Sequence, residues 1–225
     1  MKTALVTGSS RGIGAAIVRR LERDGVKVRG HDSGQADLST MEGIGKALEG
    51  IGTLDILVNN AAAPPAGPIE TDTPESFDHL MAVNVRAPYF LIQRARMNDG
   101  GRIITVSSVA TRMANPAQTS FAMTKGALET MSRTLAQQLG PRGITVNVVA
   151  PGATKTPDNR EVFTPELEAA IASLTAHRRL GTADDIADVV AFLASDDARW
   201  VTGQVLDASG GLFLGPRTRG GSMGR

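Results

Sequence analysis

The sequence predicts an α/β fold: one domain with a doubly wound parallel sheet of about seven strands and helices on both faces. Three observations lead to this prediction. Short aliphatic runs alternate with helical patterns along the chain. The length of 225 residues is usual for a single domain of this class. Hydrophobic residues make up 41% and charged residues 21% of the chain, as in an ordinary globular protein.

Charge and composition narrow the range of partners. The formal net charge is +1 and the acids and bases are interspersed, so we expect neither a nucleic acid nor a membrane as partner. No apolar stretch reaches the length needed to span a membrane. The lack of cysteine excludes disulfides and thiolate chemistry, and it agrees with a cytoplasmic location. We expect no bound metal.

The first strand, Thr3–Thr7, leads into the glycine-rich loop of residues 8–14 and then into a helix. Glycines at positions 8, 12 and 14 permit a tight turn and a close approach of the backbone to a pyrophosphate. The helix N-terminus offers free N–H groups to that anion. This strand–loop–helix order predicts a dinucleotide-binding site.

The second strand, Lys27–His31, ends at Asp32. A carboxylate there accepts hydrogen bonds from both adenosine-ribose hydroxyls and repels a 2′-phosphate, which favours NAD over NADP. Arg11, within the glycine-rich loop, favours NADP instead, because it is able to reach a 2′-phosphate. Asp32 as a solvated turn residue is the alternative interpretation. We favour NAD.

Residues 36–38 follow Asp32 after only three residues, whereas a parallel crossover normally needs a dozen or more. The third strand is therefore expected to be stunted or to lack its covering helix. Asp37 is placed to accept a hydrogen bond from the adenine amino group. A weakly periodic helix is expected at about residues 40–48.

The strand Leu54–Val58 ends in Asn59-Asn60-Ala61-Ala62, where small residues let a flat ring lie close to the backbone. Ligands of open α/β sheets bind at such carboxyl ends. Asn84 heads an apolar helical stretch. It is either a helix cap or part of a kinked helix whose freed carbonyl holds a water near the site.

The strand Arg102–Ser107 delivers Ser107 and Ser108 to the same edge of the sheet. On the following helix, Pro116–Leu139, Phe121 and Lys125 are four residues apart and share one face. A strand-end hydroxyl is thus expected beside a lysine.

The strand Ile144–Val149 ends in a rigid turn at residues 150–156. The polar insertion Pro157–Arg179, with a short helix at about Pro165–Thr175, is the expected substrate lid. A last strand is expected at Gln204–Asp207. We expect the domain to cover residues 1–214, with residues 215–225 as a flexible tail.

In these motifs the chain resembles the classical short-chain dehydrogenase/reductase family over nearly its whole length. The matching residues are Thr7-Gly8, Gly12-Ile13-Gly14, Asp37, Asn59-Asn60-Ala61, Asn84, Ser108, Lys125, Pro151-Gly152, Thr156, Thr202-Gly203-Gln204 and Gly210-Gly211. The resemblance implies a Rossmann fold and hydride transfer between NAD(P)(H) and a secondary alcohol or ketone. The chain is similar both to 3-oxoacyl carrier-protein reductases and to short bacterial hydroxysteroid dehydrogenases, so the substrate stays open.

The resemblance also implies roles for individual residues. Ser108 would hydrogen-bond the substrate oxygen, Lys125 would bind the nicotinamide ribose, and Asn84 would hold a relay water. The residues implied to bind the cofactor are Gly8, Ser10, Arg11, Gly12, Ile13, Gly14, Asp32, Asp37, Leu38, Asn60, Ala61, Lys125, Pro151, Gly152, Thr154 and Thr156. A homo-oligomer, dimer or tetramer, is implied through helices corresponding to Asn84–Met97 and Pro116–Leu139.

The family's acid/base is a tyrosine four residues before the lysine, and this chain has Phe121 there. A phenylalanine has no proton to give, so ketone reduction is expected to be weak or absent. Three explanations compete, and we rank them in this order. The first is an experimenter's inactivation, the second is natural non-redox chemistry such as dehydration, isomerisation or hydrolysis, and the third is a cofactor-binding regulatory module.

Other side chains are candidates for a replacement acid. Tyr89 is expected to pack in the core or in a subunit contact, and His177 to be a solvated lid residue. The hydroxyls of Thr119, Ser120 and Thr124 are too weakly acidic.

Overall fold

The structure, a computed structural model, describes residues 1–212 and Leu214. Its strands are β1 Thr3–Thr7, β2 Lys27–His31, β3 Leu54–Asn59, β4 Met97–Val106, β5 Thr145–Pro151, β6 Thr154–Lys155, β7 Gly181–Thr182 and β8 Val205–Ala208. Its α-helices are α1 Gly12–Arg23, α2 Met41–Leu48, α3 Pro74–Met81, α4 Ala87–Arg94, α5 Thr119–Leu139, α6 Pro165–Leu174 and α7 Ala183–Ala194. The predicted tail, residues 215–225, lies outside the described residues.

The main sheet has six strands in the order β2-β1-β3-β4-β5-β8, and every neighbouring pair is parallel. The chain runs from β1 outward to β2 and then returns to the other side of β1 to form β3. This reversal leaves a crevice outside the carboxyl ends of β1 and β3, which is where such sheets bind ligands. The predicted single-domain Rossmann-type fold is confirmed.

Apolar helix faces cover both sides of the sheet. On one face, Ile17 and Leu21 of α1 and Ile186 and Val190 of α7 are buried together against the strands. On the other face, Ala136 of α5 packs in a cluster with the inner strands. The central strands are nearly continuous apolar runs because they are buried on both faces.

Between β2 and α2 the structure has turns and no strand, so the sheet has one strand fewer than the roughly seven expected. The stunted third strand predicted at residues 36–38 does not form. Asp32 Oδ1 accepts a hydrogen bond from Gly34 N at 2.9 Å, which closes a local turn in its place. The connection is too short for a strand with a covering crossover.

The helix expected over Asn84–Met97 is divided and shorter. Residues Ala82–Arg86 form a π-helical segment, α4 ends at Arg94, and Met97 already begins β4. The kinked-helix interpretation of Asn84 is therefore the one that the structure supports, and the cap interpretation is wrong.

A second, two-stranded sheet pairs β6 with β7 at the base of the 157–179 insertion. Such two-residue strands carry no periodic pattern, which explains why the sequence did not reveal them. None of the helices within the described residues is long and apolar enough to cross a membrane.

Candidate active site

The glycine-rich loop adopts a conformation that only glycine accepts readily. Gly8 and Gly12 have φ of +65° and +55°. A Cβ on Gly14 would lie 1.9 Å from Gly8 O, so the loop and the first turn of α1 touch backbone to backbone. No side chain caps α1 and no acid lies in its first turn, which leaves its N–H groups to an anion. These features fit the pyrophosphate of a dinucleotide.

Hydrogen bonds join the ends of β1 and β3. Asn60 Nδ2 donates to Thr7 O and Gly8 O, both at 3.0 Å. Thr7 Oγ1 accepts from the backbone N–H groups of Asn60 and Ala61 at 3.0 and 3.1 Å. The two loops that border the crevice therefore hold each other in place.

Beside this loop lies a cleft of about 360 Å³. It brings together eight of the residues predicted to bind the cofactor: Gly8, Ser10, Arg11, Asp32, Asp37, Leu38, Asn60 and Ala61. Its other lining residues are His31, Ser33, Ala36, Ala62, Ala63, Pro64, His79 and Val83. Of these, His79 and Val83 belong to a distant helical region and carried no motif in the sequence. The cleft has the size and position for an adenosine group.

Both acids of the cleft are held by their own turns. Asp32 is half-buried and caps the turn at Gly34. Asp37 accepts hydrogen bonds from Ser39 N and Ser39 Oγ at 2.8 and 2.7 Å, and these bonds hold the pKa of its carboxyl below the usual value. Both carboxyl groups are therefore oriented before any ligand arrives.

His31 is the buried base of the cleft and was not singled out by the sequence. It is 4% exposed, and neither ring nitrogen has a hydrogen-bond partner within the described residues. Burial lowers the pKa of its imidazole, which keeps it neutral.

Of the predicted cofactor residues that do not line the cleft, Gly12, Ile13 and Gly14 form the first turn of α1 and Lys125 lies on α5. The others, Pro151, Gly152, Thr154 and Thr156, lie at the end of β5 and just after it. Thr156 and Asp158 flank the glycine-rich loop: a Cβ on Gly12 would lie 3.6 Å from Thr156 Cγ2 and 3.4 Å from Asp158 Oδ2. A Cβ on Gly152 would meet Ser209 at 2.8 Å, so this turn too needs glycine. The loop after β5 therefore faces the loop after β1.

Asn84 is fully buried and fixes the crevice wall from the π-helical segment. Its Oδ1 accepts from Ala63 N at 2.7 Å, and its Nδ2 donates to Ala63 O and to Thr124 Oγ1 at 3.3 and 3.2 Å. It thus links the loop after β3 to α5, next to Lys125.

We expect Asn84→Ala to lower the free energy of unfolding by about 2–4 kcal/mol, because it leaves the buried N–H and C=O of Ala63 unpaired. NADH affinity is expected to fall with it. Urea denaturation and NADH titration measure the two effects. Thr124→Val is the matched control: it removes one of these contacts and leaves Ala63 paired, so an equal loss in both variants would contradict the account.

Ser107 and Ser108 have different surroundings. Ser107 is buried, and its Oγ donates to Glu129 Oε1 of α5 at 2.9 Å, which makes it a structural link. Ser108 is half-buried and accepts from Ala110 N at 3.1 Å, starting a short 3₁₀ turn. Ser108 is therefore the more accessible of the two hydroxyl groups.

Lys125 is 3% exposed and lies on the sheet-facing side of α5. Its Nζ donates to Val106 O at 3.0 Å and lies 5.3 Å from the centre of the Phe121 ring. Burial lowers the pKa of Lys125 to about 8. The lysine and the phenylalanine ring are thus adjacent, as their spacing predicted.

The other candidate acids have different surroundings. Thr124 Oγ1 donates to Phe121 O at 2.7 Å. Tyr89 is 49% exposed on α4, so it does not pack in the core, and its role in a subunit contact stays a prediction. His177 N donates to Gly210 O, and its side chain lines a separate small cavity with Arg179 and Asp185.

The 157–179 insertion is anchored at its start. Asn159 accepts from Thr156 N at 2.7 Å and donates to Thr154 O at 2.9 Å, and Lys155 forms an ion pair with Glu168 of α6. Helix α6 itself contains no buried residue. Within the described residues, no group of three or more His, Cys, Asp or Glu is arranged to hold a metal ion.

Comparison with known proteins places this geometry in a family. A family model described as enoyl-(acyl carrier protein) reductase matches residues 35–213. The 3-oxoacyl-[acyl-carrier-protein] reductase FabG of Haemophilus influenzae is 40% identical, over 95% of this chain and 98% of its own. The structure of the angucycline C-6 ketoreductase LanV with bound NADP has a TM-score of 0.86 and 42% identity, over 95% of this chain and 96% of that one. A short-chain dehydrogenase/reductase from Serratia marcescens has a TM-score of 0.85 and 35% identity, over 94% and 97% of the two chains.

The fold and the crevice define a nicotinamide-cofactor-dependent oxidoreductase. The chain belongs to the classical short-chain dehydrogenase/reductase family, which confirms the resemblance found in its sequence. A nicotinamide cofactor is thereby supported, whereas the preference for NAD over NADP is not, since the LanV structure holds NADP.

Proposed function

We propose that the chain catalyses hydride transfer between a nicotinamide cofactor and a secondary alcohol or ketone, and that Phe121 makes this reaction slow. One observation supports the proposal that Phe121 makes the reaction slow. The Phe121 ring lies against Lys125, 5.3 Å from ring centre to Nζ, at the place where the family has a phenol. The aromatic packing is kept and the proton donor is absent.

The proposed roles follow from the contacts of each residue. The glycine-rich loop and the first turn of α1 hold the pyrophosphate, and the cleft with Asp32 and Asp37 holds the adenosine. When bound, the cofactor supplies or accepts a hydride at the carbonyl carbon. Ser108 donates a hydrogen bond to the substrate oxygen, and the buried cation of Lys125 binds the ribose hydroxyls near it.

The proposal is tested by titrating NADH and by assaying NADH-dependent reduction over a ketone panel with the chain and its Phe121→Tyr variant. The panel includes acyl thioesters, polyketide-like ketones and steroid ketones. NADH binding without reduction in either form would favour the non-redox or regulatory alternatives. Failure to bind either NADH or NADPH would remove the cofactor from the proposal.

We also propose that NAD(H) is preferred over NADP(H), in contrast to the NADP in LanV. Asp32 supports this, because its carboxylate is oriented by Gly34 in the wall of the cleft and would lie near a 2′-phosphate. Arg11 lines the same cleft and opposes it. We expect the repulsion between Asp32 and a 2′-phosphate to act at closer range than the attraction from Arg11. Solvent also screens the charge of Arg11, because its side chain is exposed.

For Asp32→Ser we expect NADPH to bind at least about tenfold more tightly than to the unchanged chain, since a like charge near the phosphate is removed. NADH affinity should fall slightly. Fluorescence titration of both cofactors gives the two dissociation constants. Asp197→Ser, an exposed acid outside the cleft, is the control. Equal NADH and NADPH affinities in the unchanged chain would contradict the preference.

The insertion Pro157–Arg179 is proposed to cover the substrate, since it starts at the glycine-rich loop and is anchored there by Asn159. A homo-oligomer and a cytoplasmic location remain proposals. Light scattering of the purified chain measures the first directly.

A further inference from the structure

We propose that Lys125 itself donates the proton in the ketone reduction that this chain retains, in the role that the missing phenol would have had. This inference rests on the proposed function and adds to it the identity of the acid. Lys125 would then be a catalytic residue as well as a cofactor-binding one.

Position is the first support. Nζ lies 5.3 Å from the centre of the Phe121 ring, so it adjoins the space where a phenol would have contacted the substrate oxygen. A general acid acts across a hydrogen bond or through one water molecule. Lys125 is the ionisable group that the structure places against this ring.

The second support is the number of hydrogen bonds that Nζ makes. An ammonium group has three N–H donors, and the described residues provide one acceptor, Val106 O at 3.0 Å. No ion pair to Lys125 exists within the described part of the chain. Donors therefore remain for a ribose hydroxyl and for the substrate.

Acidity is the third support. An ordinary lysine, with a pKa near 10.5, is a weak acid at neutral pH, but burial lowers the pKa of Lys125 to about 8. A catalytic acid works best when its pKa lies near the operating pH. Burial alone causes this shift, since no charged neighbour contributes to it.

The groups around Lys125 are mostly neutral. Just after β4, Ser107 Oγ donates to Lys125 O at 3.5 Å, and from the π-helical segment Asn84 is linked to Thr124 beside Lys125. Glu129, one turn further along α5, accepts from Ser107 Oγ. Asp72, before α3, is bonded to Ser76. The two carboxylates are thus held by hydroxyl groups, and neither pairs with Nζ.

The step balances. The carbonyl carbon receives the hydride, the π electron pair of the C=O bond moves to oxygen, and that oxygen takes a proton from Nζ. An alcohol and a neutral Lys125 amine result, and water returns a proton to the amine.

The sign of the pH dependence follows, because Lys125 must be protonated to donate. The rate constant for reduction is expected to be constant below the pKa of Lys125 and to fall about tenfold per pH unit above it, with a midpoint near 8. Single-turnover reduction of the best ketone of the panel, at pH 6 to 10, measures this. Lysine-selective NMR titration of the chain, with and without NADH, measures the pKa of Lys125 without relying on activity.

Two variants separate the acid role from cofactor binding. Lys125→Arg keeps the cation, but a guanidinium stays protonated throughout this pH range. The variant should therefore show no fall in rate near pH 8 and react on the order of 10–100-fold more slowly. Lys125→Ala should regain rate on addition of ethylamine. A fall in rate near pH 8 that persists in Lys125→Arg overturns the proposal. So does a Lys125→Ala variant that binds NADH but gains no rate from ethylamine. Should neither variant bind NADH, agreement or disagreement of the NMR pKa with the kinetic midpoint decides.

The failure of this inference is distinguishable from failure of the proposed function. If Phe121→Tyr reduces a ketone and the unchanged chain does not, Lys125 is no acid and the proposed function stands. If neither reduces any ketone, both fall.

Discussion

Phe121→Tyr is expected to raise the rate of NADH-dependent ketone reduction by about 10²–10⁴, the usual contribution of a positioned general acid. The new hydroxyl would extend from a ring that already packs beside Lys125, with Nζ 5.3 Å from the ring centre. The ammonium group favours the ionised phenol and lowers its pKa, which makes the phenol a better proton donor near neutral pH. Single-turnover kinetics at saturating NADH measure the gain.

The dissociation constant of NADH is expected to change little, because the glycine-rich loop and Lys125 are the same in both proteins. Phe192→Tyr is the matched control. It adds the same hydroxyl to a ring that is 43% exposed on α7, outside the crevice, and it should leave the rate unchanged. A gain of less than about threefold for Phe121→Tyr, with NADH still bound, would argue against a vacant acid position and for another chemistry.

The sequence predicted the sheet and the close contact between the glycine-rich loop and α1, because the residues that determine each of them are consecutive. Within residues 8–14, glycine is needed wherever two backbone segments touch. This requirement is visible in the sequence because the strand, the loop and the helix follow one another directly. Phe121 and Lys125 are one helical turn apart, so their contact also follows from local geometry.

The features that the sequence missed depend on tertiary contacts. The π-helical segment at Ala82–Arg86 brings Asn84 to Ala63, two residues that are distant in the chain. His31 of β2 and His79 of α3 line one cleft although they are far apart in the chain. The β6–β7 pair joins two residues from each side of the insertion, too few for any periodic signal. A stunted third strand was expected from the short connection after Asp32, and the structure shows that this connection leaves the strand out altogether.

Gly14→Ala is expected to weaken NADH binding at least about tenfold and to lower the free energy of unfolding by about 1–3 kcal/mol. In an ordinary helix this change would stabilise, since alanine is favoured over glycine by about 1 kcal/mol. Here the added Cβ would lie 1.9 Å from Gly8 O and 2.5 Å from Asn60 Nδ2. The loop after β1 must move away from α1, and the amide that holds it to β3 must move as well.

Gly45→Ala provides the matched control, because Gly45 lies in α2 and a Cβ there meets nothing within 4 Å. That variant should be more stable than the unchanged chain by up to about 1 kcal/mol and should bind NADH equally well. Thermal unfolding and fluorescence titration of both variants separate helix propensity from the contact at Gly8. If Gly14→Ala were as stable as Gly45→Ala and bound NADH normally, the close approach of loop and helix would not be what builds the pyrophosphate site.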